Sequence, residues 1–234
     1  MLTRRFFCGC LAAAVPFAST AVHAQSECAV FTPERQKSTS PNQAIALLKQ
    51  GNERLLAGKS TNCDLVTQVK DTAAGQAPFA VILGCIDSRV SPELIFDQGV
   101  GDIFCARIAG NFVNTDIIGS LEFATKVAGA KAIVVLGHNN CGAIKGAIDK
   151  VQLGNLTAML QNIEPAIESL GKLHGERDSH NYEFVQQAAI ANAKLAAQNI
   201  QKRSEVMSDL IQAGHLKVVS AMHDLATGRV SWLS

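Results

Sequence analysis

Short, uninterrupted apolar runs alternate with longer amphipathic stretches over most of the chain. The run FAVILG at 79–84 contains no polar side chain, which is typical of a strand covered on both faces. Strands that alternate with helical stretches predict a parallel sheet with right-handed crossovers. The first three predicted strands are 79–84, 102–110 and 131–137. The closing segment LKVVSAMHDLATGRVSWL is predicted to contain a strand, a turn at Gly228 and a short final strand.

Capping residues mark where the predicted helices begin. Ser40 precedes NQAIALLKQGNERLLAG as its cap, and Pro41 takes the first helical position. Ser91 precedes PELIF in the same way, with Pro92 and an early Glu. The other predicted caps are Thr115, before DIIGSLEFATKVAG, and Ser204, before EVMSDLIQAG.

The remaining segments divide into helical and unpatterned ones. From about 152 to 213 the pattern is helical, and an Ala-rich part at 186–200 carries a core stripe at helical spacing. Residues 25–40 are polar and lack periodicity, so we predict an extended arm there. Residues 59–77 show no strong pattern, and we predict a connecting segment.

These elements predict an α/β fold with a mostly parallel β-sheet flanked by helices. The chain has 234 residues and is 47% hydrophobic, which suits one domain with a sizeable core. We assign 1–24 to a signal peptide, 25–39 to an N-terminal arm and 40–234 to the domain. In such sheets ligands bind beyond the carboxyl ends of the strands.

The first 24 residues have the pattern of a secretory signal peptide. A basic start and an apolar middle lead to small residues at Val22 and Ala24, so cleavage is expected after Ala24. TRRFF is typical of a twin-arginine signal, and an ordinary secretory signal with two adjacent arginines is the alternative. The apolar part is short and interrupted by Pro16, so we expect no stable membrane anchor. The mature protein is therefore expected to be periplasmic or secreted.

The charge balance gives no reason to expect a nucleic-acid partner. The full chain has a net charge of +1. Cleavage after Ala24 removes Arg4 and Arg5 and no acidic residue, so the mature charge becomes −1.

Cysteine usage needs an explanation in an oxidising compartment. Two of the seven cysteines leave with the signal peptide, and the five that remain are an odd number. Cys28 and Cys63 either form a disulfide that ties the arm to the domain or remain free thiols. Cys105, inside IFCARI, is predicted to be a buried core residue.

Ligand-type side chains follow two of the predicted strands. Cys85 comes directly after 79–84, and GHNNCG places His138 and Cys141 directly after 131–137. Two sulfurs and one imidazole suit Zn²⁺, which prefers tetrahedral sulfur and nitrogen coordination. Three protein ligands leave a fourth position for water, as in catalytic rather than structural zinc sites.

An acid and a base lie beside the first of these ligands. Asp87 and Arg89 follow Cys85 at alternate positions in CIDSR. Asp87 either accepts a hydrogen bond from a metal-bound water or occupies the open position itself. Arg89 is expected to hold Asp87 by a bidentate pair and to keep it ionised.

CIDSR, followed about fifty residues later by GHNNCG, resembles the CxDxR and HxxC motifs of the β-class carbonic anhydrases. The resemblance extends through SPELIFDQGVGDIFCARIAGN and the closing DLATGRVSWL, and so covers about 40–234. It implies that the three candidate ligands hold one zinc ion per subunit and that Asp87 and Arg89 form a catalytic dyad.

The same resemblance implies a reaction and an assembly. Zinc-bound hydroxide would attack CO₂ to give bicarbonate, and a proton would pass to solvent or buffer. The implied assembly is a homodimer or homotetramer with the active site near the subunit interface. In some family members the aspartate closes onto zinc as a fourth ligand, and the sequence leaves open whether Asp87 does so.

Some positions depart from plant-type members of the family. Gly99 stands where those enzymes carry a pocket glutamine, with Gln98 one residue earlier, and Phe123 stands where they carry a tyrosine. These differences affect the wall of the CO₂ pocket and leave the metal ligands unchanged.

The residues that follow the two strands are also compatible with two other functions. The same metal set would serve a hydrolase of a CO₂ analogue such as CS₂ or COS, or a zinc-binding or thiol-redox protein without turnover. A redox protein is less favoured because the mature chain has no CxxC. Asn111 and Asp116 are expected to serve turns and caps. We expect a surface or core role for each of four histidines, with proton shuttling as the alternative: His174, His180, His215 and His223.

Overall fold

The computed structural model describes residues 29–61, 64–171 and 176–233. The predicted signal peptide and both cysteines of the Cys28–Cys63 alternative lie outside these ranges, as does His174. The strands are Ala80–Gly84 (β1), Ile103–Arg107 (β2), Ala132–His138 (β3), Lys217–His223 (β4) and Val230–Leu233 (β5). The helices are Pro33–Ser38 (α1), Pro41–Leu56 (α2), Leu65–Thr72 (α3), Pro92–Ile95 (α4), Thr115–Glu122 (α5), Gly142–Ile148 (α6), Gly154–Leu160 (α7), Glu164–Glu168 (α8), Tyr182–Arg203 (α9) and Glu205–Gln212 (α10).

The five strands form one sheet in the order β2-β1-β3-β4-β5. The first four are parallel, and β5 returns antiparallel to β4 through the turn at Gly228. This confirms the predicted α/β fold with a mostly parallel sheet. Since β1 and β3 are direct neighbours, the segments that follow them meet at one edge of the sheet.

Apolar side chains cover both faces of the sheet, as the continuous apolar runs predicted. On one face Leu83 and Val135 pack with α5, α6, α9 and α10, and on the other Ile82 and Val134 pack with α2 and α4. The Ala-rich part of α9 lies against the first of these faces, which confirms the predicted core stripe. Each fully buried side chain of this size contributes about 1.5–3 kcal/mol.

Two segments without periodicity nevertheless contain helices. The expected extended arm includes α1, because Thr32 caps it and Gln36 anchors it by donating to the carbonyls of Pro78 and Ala128. The expected connecting segment at 59–77 includes α3, because the Asp64 carboxylate accepts from the first backbone amides of that helix. Both predictions were wrong for the same reason, since a short capped helix needs no apolar stripe.

The predicted caps were partly correct. Ser40 forms a full capping box with Gln43, and Ser204 accepts from the Met207 amide. The cap of α5 is Asn114 rather than Thr115, because the Asn114 side chain accepts from the Ile117 amide at 2.9 Å. Ser91 makes no capping hydrogen bond through its side chain.

None of the helices within the described residues has the length and apolar character needed to cross a bilayer.

Candidate metal centre and active site

Three ligand-type side chains meet where β1 and β3 end. Cys85 directly follows β1, His138 is the last residue of β3, and Cys141 caps the N-terminus of α6. All three are buried, and their ligand atoms lie within 4.8 Å of one another. The structure therefore brings the predicted ligand set together in one cluster.

Zinc fits this cluster by distance and by chemistry. The Cys85 and Cys141 sulfurs are 4.0 Å apart, and two sulfurs that each lie about 2.3 Å from one ion are at most about 4.6 Å apart. The His138 Nε2 atom is buried and has no hydrogen-bond partner among the described residues. A buried nitrogen without a partner is costly unless a metal ion uses its lone pair.

The imidazole of His138 is held in the orientation that metal binding needs. Its Nδ1 atom lies 2.9 Å from the carbonyl oxygen of Asn139, so Nδ1 donates and Nε2 keeps a free lone pair. Asn139 is itself clamped, since its Nδ2 donates to Asp224 at 2.8 Å and its Oδ1 accepts from the Leu225 amide at 2.9 Å. The turn between β4 and β5 thus orients a ligand that lies on β3.

The contact between the two thiols shifts their pKa values in opposite directions. The hydrogen bond from Cys141 is the main cause that lowers the pKa of Cys85, with help from the amide of Gly110. The same contact, together with burial, raises the pKa of Cys141. Zinc must therefore displace the proton of the Cys141 thiol, so metal affinity is expected to rise with pH.

Asp87 and Arg89 form a bidentate pair beside the cluster. Arg89 donates from Nε to Asp87 Oδ1 at 2.9 Å and from a terminal nitrogen to Oδ2 at 2.7 Å. These bonds hold the pKa of Asp87 well below its usual range. Asp87 Oδ2 lies 3.9 Å from His138 Nε2. An ionised carboxylate therefore faces the metal cluster.

Arg107 fixes the backbone that carries Cys85 and Asp87. From β2 it donates to the carbonyl oxygens of Cys85 at 2.9 Å and Asp87 at 2.7 Å. Sequence reasoning missed this residue and also Asn139. A signal was available, because each is a polar residue at or next to the end of an apolar strand: Arg107 ends β2 and Asn139 directly follows β3.

Other predicted positions lie away from the metal ligands or serve structural roles. Gln98 and Gly99 line a cavity of about 220 Å³ with Phe31 and Asp97. Phe123 is 53% exposed and lines a separate groove beside β2. Asn111 is buried in a turn, and Asp116 lies in the first turn of α5.

The remaining predictions concern histidines and one cysteine. His180 and His215 are exposed. His223 is buried opposite His138 in the sheet register, and burial lowers its pKa. Cys105 is half-buried rather than fully buried, since β2 is an edge strand, and burial raises the pKa of its thiol.

Comparison with known proteins identifies the family of this chain. The carbonic anhydrase family model matches residues 80–230. Carbonic anhydrase 2 of Mycobacterium tuberculosis is 37% identical over 200 residues, which cover 82% of this chain and 92% of that protein. The chain therefore belongs to the carbonic anhydrase family.

Solved structures place the chain in the β class of that family. A Coccomyxa β-carbonic anhydrase in complex with acetazolamide has a TM-score of 0.64 and 28% identity, covering 72% of this chain and 77% of that one. A Sordaria macrospora β-carbonic anhydrase, one of two described as tetrameric, has a TM-score of 0.61 and 24% identity, covering 72% and 90%. The class uses zinc, and the Cys-His-Cys cluster supplies the ligand types for it.

Removal of one sulfur ligand tests the metal assignment. We expect Cys141→Ser to purify with little zinc, because two protein ligands bind the ion far more weakly than three. The matched control is Cys105→Ser, which changes a thiol outside the cluster and should keep about one zinc per chain. Metal content by plasma mass spectrometry checks both variants. Full zinc occupancy in Cys141→Ser would show that the cluster is not the metal site.

Proposed function

We propose that Cys85, His138 and Cys141 hold the catalytic zinc and that Asp87 and Arg89 serve the reversible hydration of CO₂ to bicarbonate and a proton. The observation that supports this proposal is the ionised, arginine-clamped carboxylate 3.9 Å from the free nitrogen of a buried Cys-His-Cys cluster. Zinc, when bound, supplies Lewis acidity that makes water a nucleophile at neutral pH.

Asp87 orients the attacking water in this proposal. Its Oδ2 atom faces the metal cluster, and an ionised carboxylate only accepts hydrogen bonds, so it fixes one O–H bond of the water and directs the oxygen lone pair towards carbon. The water oxygen bonds to CO₂, one of its protons remains on bicarbonate, and the other passes to solvent or buffer. Asp87 need not be protonated in the reaction.

Arg89 keeps Asp87 in its working position. Both carboxylate oxygens accept from the guanidinium, so the pair sets the orientation of the carboxylate as well as its charge. With this pair intact, Asp87 lies beside the metal cluster and acts on water. A closed arrangement, in which Asp87 is a fourth zinc ligand, requires that at least part of this pair be broken.

We favour CO₂ over CS₂ or COS as the substrate. The relative and the solved structures described above are all named carbonic anhydrases. No contact of the described residues favours a sulfur-containing analogue over CO₂.

Substitution of Asp87 tests the proposed reaction. We expect Asp87→Asn to lower kcat/KM for CO₂ hydration by about 100-fold or more, because the amide can donate to the water and no longer fixes its orientation. Stopped-flow hydration assays measure the loss, and metal analysis should show that zinc is retained. Asp71→Asn is the control, since Asp71 is exposed on α3. Zinc-loaded wild type that hydrates CO₂ no faster than buffer would refute the proposed function.

We also propose that the protein is a homodimer or homotetramer joined at the edge of the sheet. The strand β2 is an edge strand, and the groove of about 770 Å³ between it and α5 is lined partly by Phe104, Ile117 and the exposed Phe123. Arg107 lines the same groove while it holds the backbone of Cys85 and Asp87. A second copy is favoured as the occupant because a similar structure is described as tetrameric and because Arg107 links the groove to the backbone of the site.

Introduction of a charge into this groove tests the assembly. We expect Phe123→Asp to shift the protein towards monomer, because association would bury an unpaired carboxylate. Light scattering after gel filtration gives the mass, and Leu153→Asp, which alters a residue 67% exposed outside the groove, is the control. A monomeric wild type at micromolar concentration would contradict the proposed assembly.

We propose further that residues 1–24 direct export to the periplasm or the medium. The support is the pattern of basic start, apolar middle and small residues before Gln25. In fractionated bacteria we expect the exported form to begin at Gln25 by mass spectrometry. The variant Arg4→Lys/Arg5→Lys separates the two routes, since it should block twin-arginine export and spare the general route. A chain that stays uncleaved in the cytoplasm would count against export.

A further inference from the structure

A buried amide interrupts the alanine-rich face of α9. Asn192 is only 2% exposed, and its neighbours on that face include Ala188, Ala189 and Ala193, which are also buried. Burial of an amide among apolar side chains costs free energy unless the amide is hydrogen-bonded. The position therefore requires a specific partner.

The partner of Asn192 is the backbone of Gly110. The Asn192 Nδ2 atom donates to the Gly110 carbonyl oxygen at 2.6 Å. Gly110 has a φ of +79°, and a Cβ at this position would lie 2.5 Å from Ile163 Cδ1 and 3.3 Å from Ala143 Cβ. A side chain at this position would be strained by the positive φ and would have to displace Ile163, so the position favours glycine.

The other side of Gly110 faces the metal cluster. Its backbone N–H donates to the Cys85 sulfur at 3.4 Å. An N–H that points at a thiolate stabilises the negative charge and withdraws electron density from the sulfur. Asn192 thus lies two hydrogen bonds away from a proposed metal ligand and does not touch that ligand itself.

We propose that Asn192 is a positioning residue: through Gly110 it fixes the N–H···S bond to Cys85 and so sets the donor strength of that sulfur towards zinc. Groups behind a metal ligand orient it and tune it in this way. The inference rests on the proposed role of Cys85 as a zinc ligand. It adds a contact between α9 and the metal site that the ligand motifs do not contain.

Cobalt substitution of the full-length protein tests the proposal without an activity assay. In Asn192→Leu we expect the sulfur-to-cobalt charge-transfer band to move to longer wavelength, because the sulfur keeps more electron density. We also expect zinc affinity, measured by competition with a chromophoric chelator, to fall by about 10-fold, because the Cys85 sulfur is no longer held in the orientation that zinc binding needs.

Ser204→Ala is the matched control. Ser204 is also 2% exposed, and it bonds to Glu122 and Met207 rather than to the metal cluster. Its loss should lower the melting temperature and leave the band and the affinity unchanged. Identical bands and affinities in wild type and Asn192→Leu would overturn the role of Asn192. A wild type that binds no cobalt would instead overturn the metal assignment on which it rests.

A measurement on the wild type covers the case in which Asn192→Leu does not fold. In protein loaded with ¹¹³Cd, we expect scalar coupling between the metal and the Gly110 amide proton, transmitted through the Cys85 sulfur. Absence of that coupling, with cadmium bound, would overturn the proposed N–H···S bond and with it the inference.

Discussion

The parallel pairing of β1 with β3 is the constraint on which the metal site depends. In their register Gly84 lies opposite Leu136, so Cys85 and His138 leave the sheet within one residue of each other. Neighbouring strands lie about 4.8 Å apart, which is within the reach of two ligands that share one ion. A slip of one residue would turn His138 to the opposite face of the sheet and would separate the ligands. The apolar side chains that cover both faces of the sheet therefore stabilise the metal geometry as well as the fold.

The charges at the site balance once zinc is present. Two thiolates at the cluster would carry two negative charges, which a bound zinc ion would neutralise, and Arg89 neutralises Asp87 through the bidentate pair. The same ionised carboxylate would repel the thiolates strongly if Arg89 did not hold it. A site without net charge suits this reaction. Neutral CO₂ is not attracted by a net electric field, and the anionic product bicarbonate would be held back by a positive one.

The sheet and the Cys-His-Cys cluster were predictable because their signals are local. Continuous apolar runs located the parallel strands, and His138 and Cys141 lie three residues apart in one turn. The groups behind the ligands were not predictable, because their contacts join distant parts of the chain. Asn139 meets Asp224 across 85 residues, and Asn192 meets Gly110 across 82. The hydrophobic periodicity of a sequence carries no information on contacts between such distant residues.

Short capped helices escaped prediction for a different reason. The helices α1 and α3 have few or no buried apolar residues, so they lack the stripe that sequence patterns detect. Their stability comes from caps and from single anchors such as Gln36. The residues before them, Thr32 and Asp64, were the only local sign of their presence.

The clamp on Asn139 also sets an order of events during synthesis. Its partners, the Asp224 carboxylate and the Leu225 amide, belong to the turn between β4 and β5. While the ribosome still holds these residues, Cys85, His138 and Cys141 can all have emerged, yet the imidazole lacks its orienting support. The synthesis of the candidate ligands and the fixing of the His138 imidazole in its orientation are thus separate steps. The second requires that residues 224 and 225 have emerged and that the turn between β4 and β5 has formed.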